Sequence, residues 1–334
     1  MFAHLRAASG LRPSTLAPAS GTIPGVTVLD SPLGKRLLSC ERILLAGAGG
    51  GYDVFCGLPL YFALRDAGKA VSLANLSFTY LGGTDVSFVL PHLARVEGST
   101  RGCDSYFPER YLAELLGIPV WAIEKVGVAP VREAYRHLVR TLDLDAIVLV
   151  DGGTDILMRG DEAGLGTPAE DVTSLAAVHG LDVGTKLVTC LGFGIDAFHG
   201  VCHAHFLEDV AALVREGAFL GAQTLLADWP EVERYRKAVA WVHERMQPSI
   251  VNASIVSAIE GHFGDHQTTD RTRGSELFIN PLMSLFWGFE LDAVARRSLY
   301  LRDLEGTQSI WDVQAIIEGF RKGISSKPRA PIPV

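Results

Sequence analysis

The sequence predicts an α/β protein with a Rossmann-like parallel sheet, helices on both faces of that sheet and an added C-terminal helical region. Short apolar strands alternate with helical segments from residue 42 to about residue 216, an order typical of parallel sheets that helices cover on both sides. A glycine-rich turn joins the first strand to the first helix. From residue 217 onward, helical patterns dominate.

The glycine turn is the feature around which the other elements are arranged. Ile43–Ala46 has the pattern of a buried strand, and an apolar helical segment begins at Val54. Such a layout brings backbone N–H groups and a helix N-terminus close to a bound anion. Tyr52 stands where the dinucleotide fingerprint G-x-G-x-x-G needs its third glycine, so the loop is a variant. We interpret it as a ligand loop rather than a plain tight turn, with binding residues Gly47, Gly49, Gly50, Gly51, Asp53 and Asn75.

Hydrophobic periodicity, together with proline and glycine at segment ends, predicts the remaining elements. Short apolar runs indicate strands at Ala70–Phe78, Pro119–Ile123, Ala146–Val150 and Lys186–Leu191. Helical spacing indicates helices at Val54–Ala67, Phe107–Leu116, Ala129–Leu142, Pro168–His179, His203–Arg215, Pro230–Met246, Ile250–Phe263 and Ile310–Lys322. Asn280 is expected to cap a further helix that Pro281 opens, at the start of the apolar segment Leu282–Arg297.

Composition narrows the class of protein. The 334 residues are 48 % hydrophobic and 20 % charged, as in compact soluble proteins, and the net charge of −8 argues against nucleic acid as a partner. The five cysteines form no C-x-x-C pair, and no apolar run is long enough to cross a bilayer. We expect a cytoplasmic protein, with a homo-oligomer left open. Its predicted parts are an N-terminal arm (1–25), the α/β core (26–216), a helical region (217–324) and a tail (325–334).

Acidic side chains follow the strand that ends at Val150. Asp151, Asp155, Asp161 and Glu162 fall within twelve positions. Such a group of carboxylates can bind a divalent cation, for which Asp155 and Asp161 are the candidate ligands, or accept hydrogen bonds from ribose hydroxyls. The alternative is a solvated loop in which Asp155 or Asp161 acts as a local cap.

Histidines follow the strand that ends at Leu191. The loop there contains Gly192, Gly194 and Asp196, and His199 and His203 come next. Two histidines and Asp196 could bind a transition metal, or one histidine could transfer protons, or these residues could simply belong to a polar helix start. We predict that Asp151 and Asp155 bind the polar or sugar part of a substrate, or a cation. Proton transfer is assigned to Asp161, Glu162 or His203.

Three motifs resemble an uncharacterised prokaryotic family, the domain of unknown function number eleven-fifty-two. They are Gly47–Asp53, Asp151–Asp155 and Phe278–Leu282, which together span most of the chain. A more local resemblance links Gly47-Ala-Gly and Gly57-Leu-Pro59 to the glycine loop of sirtuin-like NAD-binding proteins. It implies NAD as a cofactor, but the sirtuin catalytic Asn-His pattern and zinc cysteines are missing, so it does not imply deacylation.

These patterns lead to a functional expectation with two alternatives. We expect a small-molecule enzyme, a hydrolase or group transferase acting on a nucleotide, nucleoside or similar polar metabolite. One alternative is a nucleotide-sensing or binding module without catalysis, and the other is a metal-dependent hydrolase of a non-nucleotide substrate. The cofactor is left open between a nucleotide such as NAD and a divalent cation.

Overall fold

A nine-stranded sheet runs through the centre of the computed structural model, which describes residues 27–102, 106–274 and 276–332. Its strands are β1 (Arg42–Gly47), β2 (Ala70–Ser77), β3 (Ser87–Leu90), β4 (Leu93–Val96), β5 (Val120–Glu124), β6 (Ala146–Asp151), β7 (Thr185–Cys190), β8 (Phe219–Thr224) and β11 (Leu285–Glu290), and β9 (Gly264–Asp265) and β10 (Phe278–Ile279) form a separate two-stranded sheet. The order across the large sheet is β3-β4-β5-β2-β1-β6-β7-β11-β8. The predicted parallel core is confirmed, because β5, β2, β1, β6 and β7 all run in one direction.

Helices cover both faces of this sheet, as predicted. They are α1 (Pro32–Leu38), α2 (Asp53–Cys56), α3 (Leu58–Asp66), α4 (Pro108–Leu116), α5 (Val128–Leu142), α6 (Pro168–His179), α7 (His203–Arg215), α8 (Pro230–His243), α9 (Ile250–Ile259), α10 (Leu291–Arg297) and α11 (Ile310–Lys322). Along β1, Ile43 and Leu45 pack on α1–α4, α8 and α9, whereas Leu44 and Ala46 pack on α5–α7, α10 and α11. Both sets of side chains are fully buried, which explains why the strand is apolar throughout.

The C-terminal region is less helical than the sequence indicates. The segment Leu282–Arg297 does not form one helix: a 3₁₀ turn at Pro281–Ser284 leads into β11, and only then does α10 begin. β11 pairs antiparallel with β7 and with β8, so this region contributes two strands to the sheet. The aromatic residues of β11 favour a strand, and pairing satisfies the backbone groups that the edge of β7 would otherwise expose.

Several helix ends and caps agree with the sequence prediction, and one predicted helix is interrupted. The bounds of α6, α7 and α11 agree with the predicted ones, and Gly117 ends α4 in a left-handed conformation with φ 67°. Asn280 does act as a cap, since its Oδ1 accepts a hydrogen bond from the Leu282 N–H at 2.9 Å. The helix predicted for Val54–Ala67 is interrupted at Gly57 between α2 and α3.

The structure describes most of the predicted C-terminal tail and none of the predicted N-terminal arm. The predicted N-terminal arm, residues 1–25, lies outside the described residues. The predicted tail is bound along residues 327–330: the Lys327 N–H donates to the Asp161 carbonyl at 2.7 Å, and the Pro328 carbonyl lies 3.1 Å from His205 Nε2. Among the described residues, no helix is both long enough and apolar enough to cross a bilayer.

Strand register brings the predicted loops to one edge of the sheet. Gly47, the last residue of β1, lies opposite Asn75 of β2 on one side and Val150 of β6 on the other. Asp151, the last residue of β6, lies opposite Cys190 of β7. The loops that follow β1, β6 and β7 therefore leave the sheet side by side at its carboxyl edge, where open α/β sheets bind their ligands.

Candidate functional site

A cavity of about 950 Å³ opens at this carboxyl edge. Its walls come from the loops after β1, β6 and β7, the start of α6, the start of α9 and one side of α11. This volume lies within the range of pockets that hold small-molecule ligands. The concurrence of three loops at one edge, predicted from their order in the sequence, is thus present in the structure.

The glycine loop folds around its own carboxylate. Gly50 and Gly51 have left-handed backbones with φ values of 93° and 58°, which a residue with a Cβ adopts only with strain. The Gly49 N–H donates to Asp53 Oδ2 at 2.7 Å, and Gly50 and Gly152 also donate backbone hydrogen bonds to this side chain. The anion that these N–H groups bind in the structure is therefore Asp53, so a ligand would meet a carboxylate at this point rather than a ring of free amides.

Three aspartates converge on the floor of the cavity. Asp53 begins α2, Asp151 ends β6, and Asp171 lies in the first turn of α6. One carboxylate oxygen from each lies within 4.8 Å of the others. Asp151 and Asp171 are each only 3 % exposed, and Asp53 is partly buried.

Two further aspartates line the cavity, but threonines hold them in place. Asp155 Oδ2 accepts a hydrogen bond from the Thr167 N–H at 2.7 Å and from its hydroxyl at 3.2 Å. Asp196 Oδ2 accepts from the Thr154 N–H at 2.6 Å and from its hydroxyl at 3.3 Å. These contacts fix the two carboxylates relative to the loop after β6.

Burial and mutual repulsion favour the protonated form of these acids. Burial, followed by the negative charge of Asp155, raises the pKa of Asp53 to about 8 although backbone hydrogen bonds oppose the shift. Burial also raises the pKa of Asp151 and Asp196 well above the usual range, with Asp155 as the next cause. The pKa of Asp171 is likewise raised by burial and then by Asp151. Carboxyl groups in this state can exchange protons near neutral pH.

The rim of the cavity differs from its floor, because it carries charged groups of both signs and aromatic groups. Lys125 lies over the Phe78 ring, with Nζ 4.9 Å from the ring centroid, and pairs with Glu170 at 3.3 Å. Arg271 is exposed and also lines the cavity, as does the exposed imidazole of His199. Phe78 is itself 47 % exposed.

Two predicted binding residues lie behind the glycine loop and not in the cavity. Asn75 is fully buried, and its Nδ2 donates at 2.8 Å both to the Gly51 carbonyl and to Glu109 Oε1. Gly47 packs directly against the Asn75 side chain, where a Cβ would collide with Asn75 Oδ1. Both residues thus support the loop, whereas Gly49, Gly50 and Gly51 line the cavity.

The structure does not bring Asp161 and Glu162 to the cavity, which corrects their proposed roles as proton donors and that of Asp161 as a metal ligand. Asp161 pairs with Arg159 at 3.4 Å and with Lys327 at 3.6 Å. Glu162 accepts hydrogen bonds from the N–H groups of Arg159 and Gly160, at 3.1 and 2.8 Å. The 3₁₀ turn at Asp155–Leu157 lies between Asp155, which lines the cavity, and these two residues, which do not. Acidic residues that are close in the sequence therefore do not all lie at the same site.

His203 also lies apart from the carboxylates. It lines a second, largely apolar cavity of about 530 Å³ together with Asn280, and its ring packs on Phe193 with a centroid distance of 5.1 Å. Burial and the nearby charge of Arg329 lower the pKa of His203. The imidazole at the acidic cavity is that of His199, four residues earlier.

Some cavity residues were not assigned from the sequence. Asp171 lies at the start of the helix that follows β6, so its place at the carboxyl edge could have been inferred from topology. Asp196, named from the sequence only as a possible metal ligand beside the histidines, lies after β7 and lines the cavity. Lys125 follows β5 in the same way. Arg271 lies about 120 residues beyond the Asp151 loop, and no local pattern in the sequence indicates that it reaches this cavity.

The fold and the cavity define a Rossmann-like α/β protein with an acidic site at the carboxyl edge of its sheet. Residues 84–324, more than half of the chain, match the model of the family described as "Protein of unknown function (DUF1152)", and the chain belongs to that family. The match includes the Asp151 loop and the Asn280 segment but begins after the glycine loop. A search of curated proteins finds no match. The resemblance to sirtuin-like loops gains no support from these comparisons.

Proposed function

We propose that this protein is an enzyme, a hydrolase or group transferase that acts on a nucleotide or a similar phosphate-bearing metabolite. The observation that carries the proposal is one cavity with an acidic floor and, at its rim, two cations, exposed glutamates and aromatic rings. Asp151 and Asp171 lie on the floor, and Lys125 and Arg271 lie on the rim. A binding module has no need of several buried carboxyl groups, because their desolvation opposes folding.

The rim supports a phosphate-bearing substrate. Lys125 and Arg271 supply positive charge at the opening, where phosphate groups form charge-assisted hydrogen bonds with such side chains. Phe78 and Phe198 are 47 % and 79 % exposed and both line the cavity. Exposed aromatic rings beside basic groups suit a planar base, since stacking stabilises a bound base by about 1–3 kcal/mol.

The floor supports chemistry on that substrate. Asp155 lines the same cavity, and burial raises the pKa of its carboxyl group, which makes it available as an acid or a base. Asp155 and Asp196 are held by threonine hydrogen bonds and are positioned to receive sugar hydroxyls. His199 provides an imidazole at the same cavity and takes the role first assigned to His203.

The Phe78→Ala variant tests the substrate class. A panel of nucleotides, nucleosides and phosphorylated sugars is first screened for thermal stabilisation of the wild-type protein and for product formation. For the nucleotide that is turned over, Phe78→Ala should raise KM about tenfold with little change in kcat, because the lost stacking acts in the ground state.

Phe88→Ala is the matched control. Phe88 is 43 % exposed, close to the exposure of Phe78, but lies on β3 at the far edge of the sheet. It should leave KM unchanged. Equal effects of the two variants would argue against base stacking on Phe78. Nucleotide binding without product over many hours would favour a binding module without catalysis. Turnover of the non-nucleotide compounds alone would favour a metal-dependent hydrolase of a non-nucleotide substrate.

A further inference from the structure

The three aspartates on the cavity floor come from three separate elements. The sheet fixes Asp151, the glycine loop fixes Asp53, and the start of α6 fixes Asp171. Since one oxygen of each lies within 4.8 Å of the others, the three carboxyl groups converge on a small volume. Their convergence is a product of the tertiary structure, because 118 positions of sequence separate the first from the last.

Asp171 has an oxygen without a partner. The residue is 3 % exposed, and its Oδ1 is buried without a hydrogen bond. Buried polar atoms in folded proteins nearly always have a partner, so an orphaned carboxylate oxygen indicates a group that binds there. Within residues 27–102, 106–274 and 276–332, no lysine, arginine or histidine forms an ion pair with Asp53, Asp151 or Asp171.

Glycines keep the space in front of these oxygens clear. A Cβ on Gly49 would lie 2.8 Å from both carboxylate oxygens of Asp171 and 2.8 Å from Asp53 Oδ2. A Cβ on Gly152 would lie 2.6 Å from Asp53 Oδ1. A methyl group at either position would occupy the region on which the carboxylates converge.

We propose that Asp53, Asp151 and Asp171 bind one hard divalent cation of the Mg²⁺ or Mn²⁺ class. The ligand set is oxygen only, which these ions prefer to softer metals. Two oxygens bound to one Mg²⁺ or Ca²⁺ lie at most roughly 4–5 Å apart, twice the metal–oxygen distance, and the three carboxylate oxygens lie within 4.8 Å of one another. This site replaces the pair Asp155 and Asp161 inferred from the sequence, since Asp161 lies elsewhere.

The cation would connect the two halves of the cavity. Substrate phosphates drawn to Lys125 and Arg271 would otherwise meet the repulsive charge of the acidic floor. A divalent ion held by the three aspartates accepts phosphate oxygens as its remaining ligands, which is how Mg²⁺ is commonly bound. This role rests on the proposed function, whereas binding of the ion itself can be measured without substrate.

Titration of the full chain with Mn²⁺ alone tests the site. The wild-type protein should bind one Mn²⁺ per chain, measured by calorimetry or by loss of the free-ion paramagnetic resonance signal. Asp171→Asn should weaken binding at least about tenfold, the lower range for loss of groups that support a metal site. Without metal, Asp171→Asn should melt at the same temperature as the wild type or higher, because Asn has the size of Asp and cannot ionise among the neighbouring carboxyl groups.

Two further variants separate metal binding from general effects. Gly49→Ala changes no charge but fills the space between Asp53 and Asp171, so it should also weaken Mn²⁺ binding at least about tenfold. Asp182→Asn removes an exposed carboxylate before β7 and should leave binding unchanged. The proposal is overturned if the wild type fails to bind millimolar Mn²⁺, or if Asp171→Asn binds it as tightly. Mn²⁺ binding without turnover of any substrate would contradict the proposed function and leave this site intact.

Discussion

The two ends of strand β6 carry aspartates in opposite situations. Asp145 precedes the strand, and its two carboxylate oxygens accept hydrogen bonds from the N–H groups of Glu41 and Arg42 at 2.7 and 2.9 Å. Asp151 ends the strand, is 3 % exposed, and accepts one backbone hydrogen bond of 3.2 Å from Ile156 in the company of other carboxylates. Asp145 links β6 to the start of β1 and stabilises the sheet. Asp151 lies among other carboxyl groups and accepts a single backbone hydrogen bond. Such an environment is typical of a residue that binds a ligand.

The largest effect is expected from Asp151→Asn. The substitution keeps the size of the side chain but removes its charge, so turnover of the nucleotide substrate should fall at least about a hundredfold, a usual scale for lost acid–base or electrostatic catalysis. Thermal stability should stay the same or increase, because repulsion among the aspartates decreases. Steady-state kinetics and a melting curve on one preparation measure both quantities.

Asp145→Asn is the matched substitution at the other end of the strand. An asparagine offers one acceptor oxygen where two backbone N–H groups need one each, so the free energy of unfolding should fall by about 1–2 kcal/mol. Turnover should be unchanged. If Asp151→Asn destabilised the protein and kept its turnover, Asp151 would have a structural role like that of Asp145. The proposed difference between the two ends of β6 would then be wrong.

Glycines at the two edges of the sheet should respond differently to a methyl group. Gly50 has φ 93°, and a Cβ there would lie 2.5 Å from a Phe78 ring carbon and 2.9 Å from the Leu76 carbonyl oxygen. Gly50→Ala should therefore lower the free energy of unfolding by about 1–2 kcal/mol. It should also weaken nucleotide binding, since Phe78 has to move. Denaturant unfolding and a nucleotide titration measure these effects.

Gly184 provides the comparison at the amino edge. A Cβ there would meet only the Asp145 carbonyl oxygen, at an ordinary 3.4 Å. Gly184→Ala should change the free energy of unfolding by less than about 0.5 kcal/mol. If Gly184→Ala lowered the free energy of unfolding as much as Gly50→Ala, the glycine loop would be no more constrained than the opposite edge of the sheet.

The pH dependence of stability reports on Asp53 at the carboxyl edge of the sheet. The folded state raises the pKa of Asp53 from 3.8 to about 8, so between these values the folded state binds a proton that the unfolded state has released. Stability must then fall as the pH rises from about 4 to about 8, and the contribution levels off outside this window. Melting temperatures across this range should fall less steeply for Asp53→Asn than for the wild type. Parallel curves for the two proteins would contradict the raised pKa.

The sequence predicted the parallel strands and the helices between them because the patterns that indicate these elements are local. The apolar runs of β1, β2, β5, β6 and β7 and the amphipathic helices between them carry their own periodicity, and those elements were confirmed. The strands β3, β4, β8 and β11, which form the two outer antiparallel pairs of the sheet, were missed. Their conformation depends on pairing with a neighbouring strand, as β11 illustrates: it follows a 3₁₀ turn at Pro281, where a helix was predicted.

At the site, the sequence by itself determined which loops meet. Gly49, Gly50, Asp53, Asp151 and Asp155 follow strands whose order implies a common edge, and they do line one cavity. Only the tertiary structure decided which acids face each other. It placed Asp161 and Glu162 away from the acidic cavity, placed His203 in another cavity and brought Asp171 beside Asp53. The physical reason is that strand direction fixes where a loop begins, whereas packing of α2 and α6 against the sheet fixes where each side chain points.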